Sequence, residues 1–294
     1  MVILRLKGGL GNQLFQWFFA RSLGHKRILV DTSSYKVPNV GRDRNIEISA
    51  MISESRNAFT SRSWQYEWVL SKLISILDKA WEINLLRRLL NIFGYVRDDS
   101  WNIRLLKVNK KLPVIILNGY FQNHESIYSI SHLIKGDLQP HLDHHFSLLC
   151  QRYMIPVKYD VIHVRREDYP GARRNVVHIG ILNDEWFVTN ISRESKFLIF
   201  LIEDSSEAKV LIEALSPNLI LDQSNSNPWE ALALMSKCTS GIGSNSTLSW
   251  WGAKLCKENG GKFVLPSGWS QNKNIDNNRF YINLVTYREP IWKS

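Results

Sequence analysis

The first 31 residues constrain this chain more than any other stretch. Val2 to Leu6 is rich in branched residues and reads as a buried strand. Gly8-Gly9-Leu10-Gly11-Asn12 follows as a tight loop, and from Gln13 to Leu23 the apolar residues Leu14, Phe15, Phe18, Phe19 and Leu23 recur at helical spacing. Ile28-Leu29-Val30-Asp31 then returns to strand character. Strand, glycine loop, helix and strand in that order open a doubly wound α/β domain, because a parallel partner strand requires a crossover helix. Glycines at such a strand-to-helix turn let backbone amides approach an anion at the helix N-terminus. Asp31 lies about 20 residues past Gly11, as in a dinucleotide fingerprint, but Leu14 stands where the third glycine belongs, so nicotinamide-dinucleotide binding is weakly supported.

The same grammar recurs after Pro156. Strands are expected at 161–164, 197–202, 219–222, 241–242 and 263–265, with helices between them, one opened by Pro228. Two Rossmann-like domains result, an N-terminal one over 1–155 and a C-terminal one over 156–294. Between the opening strands and a strand at 114–117 lies a long apolar stretch, Trp64 to Val96, read as helical and as core packing; its Arg87 and Arg88 also leave contact with a membrane surface open. His132 to Cys150 reads as a further helix. Its histidines at 141, 144 and 145 have no carboxylate or thiol to complete a metal site, and they are expected on a solvated face.

Three further patterns carry chemistry. His163-Val164-Arg165-Arg166-Glu167-Asp168-Tyr169 sits where a strand leaves the sheet, at the edge where α/β proteins bind ligands. A guanidinium there can grip two phosphate oxygens at once, and Asp168 could accept a proton from an attacking hydroxyl. A surface Arg–Asp pair is the plainer alternative. Gly243-Ser244-Asn245-Ser246-Thr247-Leu248-Ser249-Trp250-Trp251-Gly252 offers small hydroxyl residues at a helix start, fit either for capping or for cradling phosphate. Asp204, closing the strand that ends at Ile202, is placed to contact a base or ribose, or to cap a helix. The net charge of +10 suits a phosphorylated substrate, a nucleic acid or an anionic membrane surface. Nucleic-acid motifs are missing, so that class is set aside. The three cysteines, at 150, 238 and 256, are too widely spaced for a metal knuckle or a disulfide framework and are expected to be reduced thiols in a cytoplasmic protein.

Taken in order, these blocks resemble the bacterial α-1,2-fucosyltransferase family, glycosyltransferase family 11. The resemblance rests on Gly8 to Gln16, on Asn118-Gly119-Tyr120-Phe121-Gln122, on His163 to Tyr169, on Pro228 to Lys254 and on Leu265-Pro266 with Trp269, so it spans nearly the whole chain. The family usually has Gly where Glu167 stands, and Phe-Ser-Asp-Asp where this chain has Leu201-Ile202-Glu203-Asp204. The resemblance implies a GT-B-like fold, with two Rossmann-like domains facing across a cleft. It implies inverting transfer of fucose from GDP-fucose to a galactose-containing acceptor in surface-glycan (O-antigen) synthesis, with no metal or other cofactor. Within it, Arg165 binds the β-phosphate, Arg166 supports it or the sugar, and Asn245, Ser246 and Thr247 cradle phosphate. Asp204 contacts the nucleoside, while Gly11, Asn12 and Gln13 sit near sugar or phosphate. Asp168 is the candidate general base, and His163 joins Arg165 and Asp168 in the catalytic set. Peripheral contact with the anionic inner membrane face is a further expectation. Another GDP-sugar donor, or a nucleotide-binding protein without catalysis, remains the alternative.

Overall fold

A computed structural model describes residues 1–35, 45–54, 58–60, 64–98, 108–122, 127–166, 180–202, 205–222, 227–270 and 285–292. The chain divides into two compact units, Met1–Asp137 and Leu138–Ser294, so the division falls earlier than the 155/156 boundary expected from sequence.

The first unit is built on a five-stranded, wholly parallel sheet in the order β3-β2-β1-β5-β4. Its strands are β1 (Val2–Arg5), β2 (Ile28–Asp31), β3 (Ala58–Thr60), β4 (Tyr95–Asp98) and β5 (Ile115–Gly119). Helix α1 (Leu10–Ser22) follows the glycine loop, and its side chains are buried almost all round, including Leu14, Phe15, Trp17 and Phe18. A short α2 (Ser49–Glu54) precedes β3, and α3 (Trp64–Trp81) and α4 (Asn84–Ile92) form a helical pair before β4. The helical reading of Trp64 to Val96 therefore ran too far. Gly94 takes φ +91°, a left-handed conformation that stops the helix, and Tyr95–Asp98 pairs with β5 as a strand. The chain departs from β1 toward β2 and β3 and returns on the other side through β4 to β5. The order thus reverses between β1 and β5.

The second unit repeats the logic with six parallel strands in the order β11-β10-β9-β6-β7-β8. They are β6 (Asp160–Val164), β7 (Leu198–Ile202), β8 (Leu219–Asp222), β9 (Ser240–Gly243), β10 (Lys262–Pro266) and β11 (Thr286–Arg288). Both β6 and β7 are buried at every residue, as strands covered on both faces must be. The helices are α5 (Ser131–Tyr153), which carries the unit boundary, then α6 (Asp184–Asn190), α7 (Lys209–Leu215), α8 (Pro228–Lys237) and α9 (Thr247–Glu258). One apolar layer joins Ile162, Val164, Phe200 and Ile202 to Trp186, Phe187 and Leu211 of α6 and α7. The helices α8 and α9 approach each other closely: a Cβ on Gly252 would stand 2.7 Å from Met235 Cβ. Here the order reverses between β6 and β9.

The cysteines are free, and the buried Cys238 and Cys256 sulfurs lie 3.6 Å apart, with burial pushing the Cys238 thiol up. His141 and His145 are not on a fully solvated face: their rings lean on Trp229, 5.5 and 6.2 Å between centroids. Among the described residues no group of three or more His, Cys, Asp or Glu could hold a metal ion.

Candidate active site

In an open parallel sheet the loops on either side of the reversal point splay apart at the carboxyl ends of the strands and leave a crevice. In the second unit those loops are Arg165-Arg166, leaving β6, and Ser244 to Ser246, leaving β9. A short relay of hydrogen bonds ties them together. The Ser244 amide and hydroxyl both donate to the carbonyl of His163 (3.0 and 3.2 Å), and Arg165 N–H donates back to Ser244 Oγ at 2.9 Å. The strand exit is thereby fixed against the neighbouring loop.

Ser246 caps α9. It has extended φ and ψ (−127°, 140°), and its Oγ accepts from Leu248 N–H. The first amides of a helix have no partner within it, and the aligned peptides give that end a partial positive charge. Arg165 Nη1 lies 3.3 Å from the same Ser246 Oγ. A guanidinium and a helix N-terminus therefore meet at the reversal point, and Thr247 is the first helical residue. This concentration of donors and positive charge suits an anion with several oxygens, such as a diphosphate.

His163 has a different place from the one its catalytic assignment implies. Its side chain is 1% exposed, packed between β6 and the first turn of α9, with Nδ1 2.6 Å from Ser249 Oγ. Burial, with the nearby Arg165 charge second, pushes its pKa down to about 3. At neutral pH it is an uncharged imidazole that fixes α9 to the strand. Gly243 is required beside it, because a Cβ there would stand 2.7 Å from Ser249 Cβ.

Arg166 likewise turns inward rather than toward the loop mouth. It is 3% exposed and pairs with Asp184 in the first turn of α6. The Nδ2 of Asn245 donates to the carbonyls of Gly180 (3.2 Å) and Trp269 (3.1 Å), holding two loops to the site. Asp168, Glu167 and Asp204 lie outside the described residues. Ser244 and Ser249, quoted within a motif but given no role from sequence, turn out to be the links that join strand, loop and helix.

The first unit has an analogous junction. Gly8 turns with φ +73°, and the loop after β5 turns at Phe121 with φ +50°. The Phe121 N–H donates to Asp98 Oδ2 at 2.6 Å, and its ring stacks on Phe19 at 4.5 Å. Gln122 Nε2 donates to Asn12 Oδ1 at 2.7 Å and so bridges the loops that flank the β1/β5 reversal. Gln13, expected near the donor, is fully buried. Its Nε2 lies within 3.0 Å of Gly8 O, Tyr35 Oη and Asn45 O, and its Oε1 accepts from the amides of Glu47 and Ile48 (2.9 and 3.1 Å). It braces the loop from within. Gly11 is buried in the first turn of α1. Asp31 is also fully buried, accepting from Ser33 N–H and facing Arg5 at 3.7 Å, a position that leaves no ribose role for it.

Known proteins give this geometry a context. A relative from Escherichia coli, the O-antigen biosynthesis glycosyltransferase WbnK, is 27% identical over 92% of this chain and 95% of its own. Among solved structures, the glycosyl transferase family 9 protein from Veillonella parvula superposes with a TM-score of 0.50 at 9% identity, covering 100% of this chain and 88% of its own. The fucosyltransferase NodZ from Bradyrhizobium gives a TM-score of 0.48 at 13% identity, over 86% and 92% of the two chains. The fold is GT-B-like, an α/β protein with two parallel-stranded Rossmann-like units. The model of the family described as Glycosyl transferase family 11 matches residues 1–286. This chain belongs to that family and is a glycosyltransferase.

Proposed function

We propose that the protein transfers L-fucose from GDP-fucose to a hydroxyl of a galactose-containing glycan, forming an α-1,2 linkage, in the synthesis of a surface polysaccharide such as O-antigen. The observation that carries this reading is the meeting of Arg165 with the Ser246 cap of α9 at the sheet reversal point, 3.3 Å apart. Membership of family 11, the resemblance of the ordered motifs and the O-antigen assignment of WbnK support the donor and the pathway class.

In this reading the diphosphate of the donor lies between the Arg165 guanidinium and the amides at the start of α9. The acceptor oxygen attacks the anomeric carbon of fucose from the face opposite the nucleotide. The new C–O bond forms as the bond to the β-phosphate oxygen breaks, and GDP leaves with the electron pair. Negative charge grows on that phosphate, so donors already aimed at it lower the barrier without rearranging. Asp168 takes the hydroxyl proton, and Asp204 contacts the nucleoside. Neutral His163 holds the first turn of α9 and takes no part in proton transfer. The charge on the leaving diphosphate is met by protein groups, so the reaction is expected to proceed undiminished in a chelator.

The test is a screen of GDP-fucose and GDP-mannose against galactosides and other glycans, with the product linkage read by NMR. The expected product is a fucosyl-α-1,2-galactoside formed only from GDP-fucose. Turnover with GDP-mannose alone, or none with any nucleotide sugar and acceptor, would overturn the assignment.

A further inference from the structure

The helical pair of the first unit carries more apolar surface than its own core uses. In α3 one face is spent on packing: Ile74 and Trp81 are buried, and Asp78 turns in to Tyr95 and Asn118. Val69, Leu73 and Ile76 recur at the i, i+4, i+7 spacing of a second face, and all three are exposed, Ile76 at 63%. The pattern continues through the turn and α4. Ile83, Leu89, Ile92 and Phe93 are exposed, the last two at 64% and 78%. Single exposed apolar residues are ordinary, but seven in one pair of consecutive helices are more than chance scatter.

The charges around this surface indicate what it meets. Lys72 and Lys79 stand four residues before and three after Ile76 on α3, and Arg88 stands four before Ile92 on α4; all three are exposed. Arg87 is held over the Trp81 ring, 5.6 Å from its centroid, which keeps a further cation in the turn region. The described carboxylates of the pair are engaged elsewhere. Asp78 faces the sheet, and Glu82 pairs with Arg97 at 2.9 Å. An apolar face bordered by cations and without opposing free carboxylates among its described residues is complementary to a layer of anionic headgroups over hydrocarbon. Among the described residues no helix is long and apolar enough to cross a membrane, so the helical pair would lie in the plane of the interface.

We infer that the outward faces of α3 and α4 dock on the surface of a bilayer that contains anionic phospholipid. The inference is independent of the donor and acceptor assigned above.

Vesicle flotation tests it. The full-length protein is mixed with vesicles of phosphatidylcholine alone, or with a third of phosphatidylglycerol, at low and high salt. The expected result is partitioning onto the phosphatidylglycerol vesicles that weakens as salt rises. Replacing Ile76→Asp together with Ile92→Asp should lower that partitioning at least tenfold. Each cation near such a surface is worth roughly fivefold in partitioning, so Lys79→Gln with Arg88→Gln should lower it about 25-fold. These positions are exposed, and unchanged far-ultraviolet circular dichroism and melting would confirm that the variants fold. Absence of binding to anionic vesicles overturns the inference, as does binding that the Asp pair leaves unchanged. Self-association in sedimentation that the Asp pair abolishes also overturns it, since the surface would then serve a second copy of the chain.

Discussion

The buried His163 makes the acid stability of this protein a readout of its site. In the unfolded chain the imidazole takes a proton near its ordinary pKa of 6.5, whereas in the fold it does so only near 3. Above 6.5 both states are neutral and the group adds no pH dependence. Below 6.5 the unfolded state binds a proton that the folded state does not, so stability falls by about 1.4 kcal/mol per pH unit until the folded group also titrates. Between about pH 7.5 and about pH 4.5 the loss from this one residue is about 3 kcal/mol. The assay is urea unfolding across that range, for the native chain and for His163→Gln, which cannot titrate but keeps a polar partner for Ser249. Other titrating groups are common to both chains and cancel in the difference. The gap between them should therefore change by about 3 kcal/mol over the range, with the glutamine variant gaining relative stability as the pH drops. A gap that stays constant would mean that the imidazole is solvated or charged in the fold, and the description of the β6–α9 junction would be wrong.

Other outcomes follow from packing and hydrogen bonding. Gly252→Ala would place a methyl 2.7 Å from Met235 Cβ and should cost about 1–3 kcal/mol in urea unfolding, with a melting temperature lowered accordingly. Gln13→Leu takes the Gln13 acceptor from the buried amide of Ile48 and the half-buried amide of Glu47 and should cost about 2 kcal/mol or more by the same assay. Ser246→Ala removes a cap that also meets Arg165. It should cost about 1 kcal/mol in stability, and a steady-state assay should show a raised KM for the nucleotide sugar.

Much of this architecture is legible in the sequence because the blocks fall in pairs at structurally equivalent places. Gly8 to Asn12 and Asn118 to Gln122 flank the reversal of the first sheet. His163 to Arg166 and Gly243 to Thr247 flank that of the second. Strand-to-loop transitions of this kind are written locally, in branched runs that end on glycine or on a charged residue. The destinations of individual polar side chains are not. Gln13, Asn245 and Arg166 lie in the right loops, yet each turns inward to a carbonyl, an amide or a carboxylate distant in sequence: Asn45 to Ile48, Gly180 and Trp269, and Asp184. Which backbone groups come within reach of a side chain is decided by packing, and periodicity carries no trace of it. Three of the four edge strands were also hidden, while the fourth, Leu219–Asp222, was expected. Ala58–Thr60 and Thr286–Arg288 have three residues each, and Tyr95–Asp98 directly follows an apolar helix with only Gly94 to mark the change. The exposed face of α3 was obscured in the same way, since a helix apolar on two sides reads as core until one side is seen to lack a partner.

The claim on which the functional account rests is that Arg165 and the amino end of α9 form one diphosphate site. Calorimetric titration of GDP into the native protein and into Arg165→Lys tests it most directly, because lysine keeps the charge but loses the two-pronged grip. Affinity should fall tenfold or more, with unfolding stability little changed. A dissociation constant that stays within twofold of the native value would place the nucleotide elsewhere and contradict the account.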